Sequence, residues 1–244
     1  MIMAFNFKIP KTIQLHLRKD IKIPQKPTKE LARLFGGLLG DGHLQLSHGV
    51  VSFYSKDINE IKKFESIIYK TFKTIGIIYK KKNKENDFSL FFSSKTLCEF
   101  LYYIGMPNGS KTDQEFLIPC WIMNGSNKIK GSFLSGFYDA EGSIYSTITP
   151  NNKTRWRIYI DQNKREDIKN NGVIFMNQIR NLLIDFNMNP QKVSVGVGNV
   201  RKNGIKTKRL GFGMERTSFK NFYRYVGFSN PHKQKKLIAA LNNF

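Results

Sequence analysis

Two carboxylates stand in matching places one hundred residues apart. Asp41 closes the apolar stretch Leu34-Phe35-Gly36-Gly37-Leu38-Leu39-Gly40-Asp41-Gly42, and Glu141 closes Leu134-Ser135-Gly136-Phe137-Tyr138-Asp139-Ala140-Glu141-Gly142. An acid at a helix C-terminus is disfavoured by the helix dipole, and two such acids close together repel, so a cation would relieve both. Hard oxygen ligands and water suit Mg²⁺, and the unpaired carbonyls of Gly40 and Ala140 would add to the ligand set. Paired carboxylates, a divalent metal and a basic surface are the equipment of metal-assisted phosphodiester hydrolysis. A single Gly-Asp-Gly after an apolar helix is ordinarily only a cap and turn. The second copy, with an acid in the same slot, tips the balance toward chemistry.

The elements that would position these acids also come twice. Thr28 and Glu30 predict a helix start, with apolar spacing through Leu39 and a stop at Gly42. Residues 43–54 read as a hairpin, 58–75 as a helix, 77–92 as a second hairpin and 95–104 as a short helix. Phe64, Ile68, Phe72 and Ile75 return 111 residues later as Phe175, Ile179, Leu183 and Phe186. Leu97, Phe100, Tyr103, Gly105, Asn108 and Lys111 return 122 residues later as Phe219, Phe222, Tyr225, Gly227, Asn230 and Lys233. The growing offset places insertions in the hairpins, where loops tolerate them. The chain is therefore a fused duplication: a basic N-terminal arm over 1–29, a first repeat over 30–123, a linker over 124–130 and a second repeat over 131–244. Small residues at Gly36 and Gly40, and at Gly136 and Ala140, would let the two motif helices approach backbone to backbone.

The 244 residues carry 40 Lys+Arg against 18 Asp+Glu, a net charge of +22, with 40% hydrophobic content and 20 Phe. A disordered polycation would lack that apolar content, so this is a folded protein that meets a polyanion, nucleic acid first. No apolar stretch suits a membrane span, and no signal-peptide core is present. Two cysteines, Cys98 and Cys120, make neither a disulfide framework nor a zinc cluster, which suggests an intracellular protein, and the richness in Lys, Asn, Ile and Phe points to an AT-rich genome, as in a prokaryote or an organelle. Gly105-Met106-Pro107-Asn108-Gly109-Ser110-Lys111-Thr112 nearly spells a P-loop, but its second glycine is one place early and a helix precedes it.

The duplicated motifs resemble those of the LAGLIDADG homing endonucleases of the single-chain, two-repeat kind. That resemblance implies an α+β fold of two pseudo-symmetric αββαββα repeats. Their curved antiparallel sheets would form a DNA-binding saddle, with the motif helices at the repeat interface. It implies a monomer, with no obligate protein partner, that cuts both strands of a long, nearly palindromic duplex. Mg²⁺ would be the working metal, with Mn²⁺ substituting and Ca²⁺ binding without supporting cleavage. The metal-binding acids carry over to Asp41 and Glu141, while Leu39 departs from the usual acid of its slot and Asp139 keeps it. Gln162, and more weakly Ser55 with Lys56, match the polar residue that orders water; Lys111 and Lys233 match the lysine that stabilises charge on the phosphate.

Hairpin residues expected to read DNA are Gln45, Ser47, Ser52, Tyr54, Lys56, Lys80, Lys82, Lys84 and Ser89 in the first repeat. In the second they are Tyr145, Thr147, Arg155, Arg157, Arg201, Lys202, Lys206, Lys208 and Arg209. Alternation along a strand means that only about half of them can face DNA. Intron RNA binding by a maturase, or DNA binding without cleavage, stays open as a second class of function. The free Met1 favours an intron-borne or free-standing reading frame over an intein.

Overall fold

The computed structural model describes residues 6–15, 21–81 and 87–242. The chain runs α1 (Lys11–Leu15), α2 (Lys29–Asp41), β1 (Gly42–Gln45), β2 (Val50–Ser55), α3 (Ile58–Phe72), β3 (Ile77–Lys80), β4 (Phe88–Ser93), α4 (Lys95–Tyr103) and α5 (Cys120–Met123). It continues through α6 (Asn127–Glu141), β5 (Gly142–Ile148), β6 (Thr154–Arg165), α7 (Lys169–Ile184), β7 (Ser194–Val200), β8 (Lys206–Met214), α8 (Phe219–Tyr225) and α9 (Pro231–Asn242). The order αββαββα thus occurs twice, from α2 to α4 and from α6 to α8. Each repeat builds one four-stranded antiparallel sheet, ordered β1-β2-β4-β3 and β5-β6-β8-β7. The class is α+β.

Local chemistry sets the helix starts. Thr28 accepts the Leu31 N–H, Asp57 that of Asn59 and Ser94 that of Leu97, each satisfying a donor the helix itself cannot. The helix that follows each cap lays its apolar stripe on one side of a sheet.

By contacts the chain divides into two compact units, Met1–Lys111 with Pro119–Phe137, and Thr112–Ile118 with Tyr138–Phe244. The stretch 124–130, expected as a linker, holds a turn and then the first turn of α6, with Ile129 buried.

In the first unit, Leu44, Val51, Phe53, Leu90 and Phe92 face the helices and pack with Phe64, Ile68, Phe72 and Phe100. Phe53 and Phe64 stack at 3.8 Å. Helix α2 crosses the N-terminal part of α6 at two glycines. A Cβ on Gly36 would fall on the Phe133 carbonyl oxygen, and one on Gly136 on that of Arg33. Glycine is what permits so close a backbone approach.

The N-terminal segment, expected as a basic arm with one short helical turn, holds α1, and its other described residues lie outside helix and strand. In its described part Phe7, Ile13, Ile21 and Ile23 are buried, while Lys8, Lys11, Lys22 and Lys26 stay exposed. Phe7 packs edge-on against Phe100 and Trp121, each at 5.7 Å, and Tyr103 donates its hydroxyl to the Lys8 carbonyl at 2.7 Å. Apolar residues placed between the lysines bring the segment down onto the unit.

In the second unit, Ile144, Ile158, Ile160, Leu210, Phe212 and Met214 form the helix-facing side of the sheet under Phe175, Met176, Ile179 and Phe222. Residues 112–118 are fastened to this unit. Phe116 meets Phe175 edge-on at 5.0 Å, and its N–H donates to Asn171. The Ile118 N–H donates to Gln178 at 2.8 Å. Lys164, only 1% exposed, donates its Nζ to the Gln114 carbonyl at 2.6 Å and lies 3.8 Å from the Phe116 ring centre.

Candidate metal and nucleic-acid site

In the first unit α2 ends at Asp41, which is exposed, after the buried Gly40. The last carbonyls of a helix have no intrahelical partner and carry the negative end of its dipole, so they attract cations. Here the cation is a side chain. Lys111 donates its Nζ to the Leu38 carbonyl at 3.0 Å and to the Gly40 carbonyl. The charge of Lys111 also reaches His43, two residues beyond Asp41. Burial, and then the Lys111 ammonium, hold that imidazole below its ordinary pKa.

The second unit builds the same corner. Helix α6 ends at the half-buried Glu141, and Lys233 donates its Nζ to the Asp139 carbonyl at 2.6 Å. The Asp139 carboxylate takes another task. It accepts the Ser229 N–H at 2.7 Å, the Ser229 hydroxyl at 2.6 Å and the Asn230 N–H at 3.4 Å, and so holds the loop that carries Lys233.

The ammonium groups are stand-ins that test whether a cation suits these corners. Each sits on a carbonyl of the motif helix's last turn, and a carbonyl keeps a second lone pair for a further partner. Among the described residues no group of three or more His, Cys, Asp or Glu could hold a metal ion. A metal here would therefore rest on one carboxylate per corner, backbone oxygen and water, which is how Mg²⁺ is ordinarily held. The donor set fits.

Ser55 and Gln162 occupy equivalent positions. Gly42, after Asp41, pairs with Phe53, and Gly142, after Glu141, pairs with Ile160; Ser55 and Gln162 lie two residues further along the same strands. Their surroundings differ. Ser55 is tied into the start of α3, donating its hydroxyl to Glu60 and accepting the Asp57 N–H at 3.1 Å. Gln162 is 8% exposed on the helix-facing side of β6.

Pairing register sorts the expected DNA-reading residues. On the first sheet Gln45, Ser52, Tyr54 and Ser89 point away from the helices, together with His43, which had not been anticipated. Lys56 is exposed beyond β2 and Lys80 at the end of β3, while Ser47 bonds His48 at 2.9 Å in a 3-10 turn. Lys82 and Lys84 lie outside the described residues.

On the second sheet Tyr145, Thr147, Arg155, Arg157 and Arg209 share the face away from the helices. Tyr159, Asp161, Asn163 and Arg165 join them on β6. Counting on in steps of two from Arg155 would have found all four. Lys206 and Lys202 are exposed, the latter in the turn between β7 and β8. Lys208, on the helix-facing side, pairs with Glu166 at 2.9 Å, and Arg201 pairs with Asp113 at 2.8 Å.

No family model matches the chain. The fold is that of the LAGLIDADG homing endonucleases. I-WcaI bound to its DNA recognition sequence is similar at TM-score 0.52 and 16% identity, over 93% of this chain and 91% of that one. I-DmoI in complex with DNA and Ca is similar at 0.50 and 16%, over 88% and 98%. Full-length WhiA from Thermatoga maritima is similar at 0.50 and 15%, over 98% and 66%. In sequence, the tRNA-splicing ligase RtcB of Pyrococcus furiosus is 31% identical over 228 residues, 86% of this chain and 22% of that protein. The glutamine–fructose-6-phosphate aminotransferase of Methanocaldococcus jannaschii is 26% identical over 228 residues, 93% of this chain and 19% of that protein. The chain thus spans about a fifth of the length of the curated relatives it matches. Among the described residues no helix is long and apolar enough to cross a membrane.

Proposed function

We propose that this chain is a site-specific, divalent-metal-dependent endonuclease of double-stranded DNA. The observation that carries the reading is the corner built twice: an acid ending the motif helix, with a lysine on the carbonyls of the same last turn. Asp41 and Glu141 would hold Mg²⁺, with Gly40 and Ala140 offering backbone oxygen. The metal, when bound, supplies an activated water and charge neutralisation at the phosphate. Gln162 orients the attacking water in its corner, and Lys111 and Lys233 stabilise the charge that grows on the phosphate oxygens. The outward sheet faces and the lysines beside them bind the duplex, with the heavier share of phosphate contact on the second half and a steep loss of affinity as salt rises.

The activities named for the sequence relatives do not come with the similarity. A ligase and an aminotransferase have no shared chemistry, yet each matches most of this chain over only 22% and 19% of its own length. One module of about this size, carried within larger proteins of unrelated activity, accounts for both matches. This favours kinship with modules embedded in host proteins over the intron-borne or free-standing frame expected from the sequence.

Duplexes selected for binding from a randomised pool, then incubated with Mg²⁺, test the reading. Double-strand cleavage that is lost in Asp41→Asn and Glu141→Gln is the expected result. Selective binding without cleavage at any divalent metal would reassign the chain to the non-cutting class, which the likeness to WhiA, not named as an endonuclease, keeps in view.

A further inference from the structure

The two sheets turn faces of opposite chemistry away from their helices. On the second, four arginines line the face: Arg155, Arg157, Arg165 and Arg209. Three are buttressed by acids. Arg209 grips Asp161 through Nε at 2.7 Å and Nη2 at 3.0 Å, Arg165 grips Asp167 at 2.6 and 2.8 Å, and Arg155 meets Glu215 at 2.6 Å. A guanidinium has five N–H donors in a fixed fork, so a carboxylate that takes two leaves three for another partner and holds the plane still.

The equivalent face of the first sheet has no arginine among its described residues. A shallow groove there is lined by Val50, Ile75, Ile77, Tyr79, Phe91 and Ser93. Ile75 is 73% exposed, Ile77 61% and Tyr79 54%. In the second repeat the counterpart of Ile75, Phe186, is only 3% exposed. Leaving large apolar side chains in water on a sheet face marks a surface that contacts something. Exposed Lys56, Lys73 and Lys80 flank these strands, and among the described residues no carboxylate stands on the face itself, so the charge complements a polyanion.

Apolar side chains meet one feature of the DNA major groove, the C5-methyl of thymine, whereas arginine pairs bidentately with guanine O6 and N7. Resting on the DNA-cleaving function proposed above, we infer that the target is compositionally lopsided. The half read by the first sheet is rich in A·T pairs whose thymine methyls seat on Val50, Ile77, Tyr79 and Phe91. The half read by the second sheet carries guanines opposite Arg157 and Arg209.

Duplexes selected by the whole protein from a fully randomised pool, in Ca²⁺, should converge on one A·T-rich half and one half with fixed guanines. Replacing deoxythymidine by deoxyuridine removes only the methyl. In the A·T half this should weaken binding about fourfold for each contacted methyl, the factor that burying one methyl-sized group gives; in the other half it should change little. Ile77→Asn should abolish the uracil penalty at one position while leaving the guanine half's preference intact, and Arg157→Met should do the reverse. A selected target with halves of equal composition, or with no uracil penalty, overturns the inference and leaves the function standing. Failure to select any duplex overturns both. A concentration-dependent dimer by light scattering, abolished by Ile77→Asn, would assign the apolar face to a second copy of the chain and likewise overturn the inference.

Discussion

The loop after the third helix of each repeat does the same work in both and is moored by different means. In the first repeat Asn108 accepts the Leu46 N–H at 2.9 Å and Gly109 donates to the Leu44 carbonyl at 2.7 Å, so the loop hangs from the first hairpin. In the second, the Asp139 carboxylate on the motif helix takes over, and Asn230 turns inward to accept the Lys233 N–H at 3.0 Å. Leu39, in the slot of Asp139, is 1% exposed and belongs to the core. Both loops begin at a glycine of positive φ, Gly105 at 107° and Gly227 at 60°, and both deliver a lysine to the last carbonyls of the motif helix. The delivered lysine is what the two halves share; the mooring is free to change.

Removing the acids gives the largest expected effect. Asp41→Asn and Glu141→Gln should each lower single-turnover cleavage by roughly 100-fold or more, the scale of losing several kcal/mol of metal-borne stabilisation. Cleavage that survives either substitution would break the equivalence of the two corners. Next come the crossing glycines. Gly36→Ala and Gly136→Ala each drive a methyl into a backbone carbonyl and should destabilise by about 3 kcal/mol, the upper range for overpacking, in urea unfolding. Gly37→Ala, whose methyl would meet only the edge of the Phe64 ring at 3.0 Å, should cost far less.

The moorings can then be compared directly. Asp139→Leu installs the first repeat's residue in the second and should cost about 2 kcal/mol, since hydrogen bonds to a charged group are lost. Asn108→Ala should cost about 1 kcal/mol, a neutral bond. Equal costs would mean that the carboxylate adds nothing over an amide.

The smallest effect is a titration. His43 is held below its ordinary pKa of 6.5 first by burial and then by Lys111. The unfolded chain therefore takes up the proton more readily, and the stability due to the neutral imidazole is present above about pH 6.5 and lost as pH falls. Lys111→Met should raise the His43 pKa by NMR without bringing it to the ordinary value. No shift would show that Lys111 does not reach the corner in solution.

Element order, the duplication and the lysine pair were legible because each rests on local periodicity or on one half checking the other. Phe64 and Phe175, or Phe100 and Phe222, keep their burial across the repeat. The burial of Phe7, Ile13, Ile21 and Ile23 was not legible, since apolar residues spaced between lysines and prolines show no helix or strand period. Strand parity was not legible, since Ser52 and Phe53 look alike until pairing register assigns their sides. The Asp139 mooring spans 90 residues, beyond any local pattern.

The strap of residues 112–118 carries a lesson about divisibility. It lies before the second motif in the chain yet completes the second unit's core, with Phe116 on Phe175 and a buried ammonium on the Gln114 carbonyl. A gene split at residues 124–130 would yield a second half missing seven residues of its own unit, with the buried Lys164 deprived of the Gln114 carbonyl. No single cut separates the two units, because residues 112–118 belong to the second while Pro119–Phe137, which follow them, belong to the first.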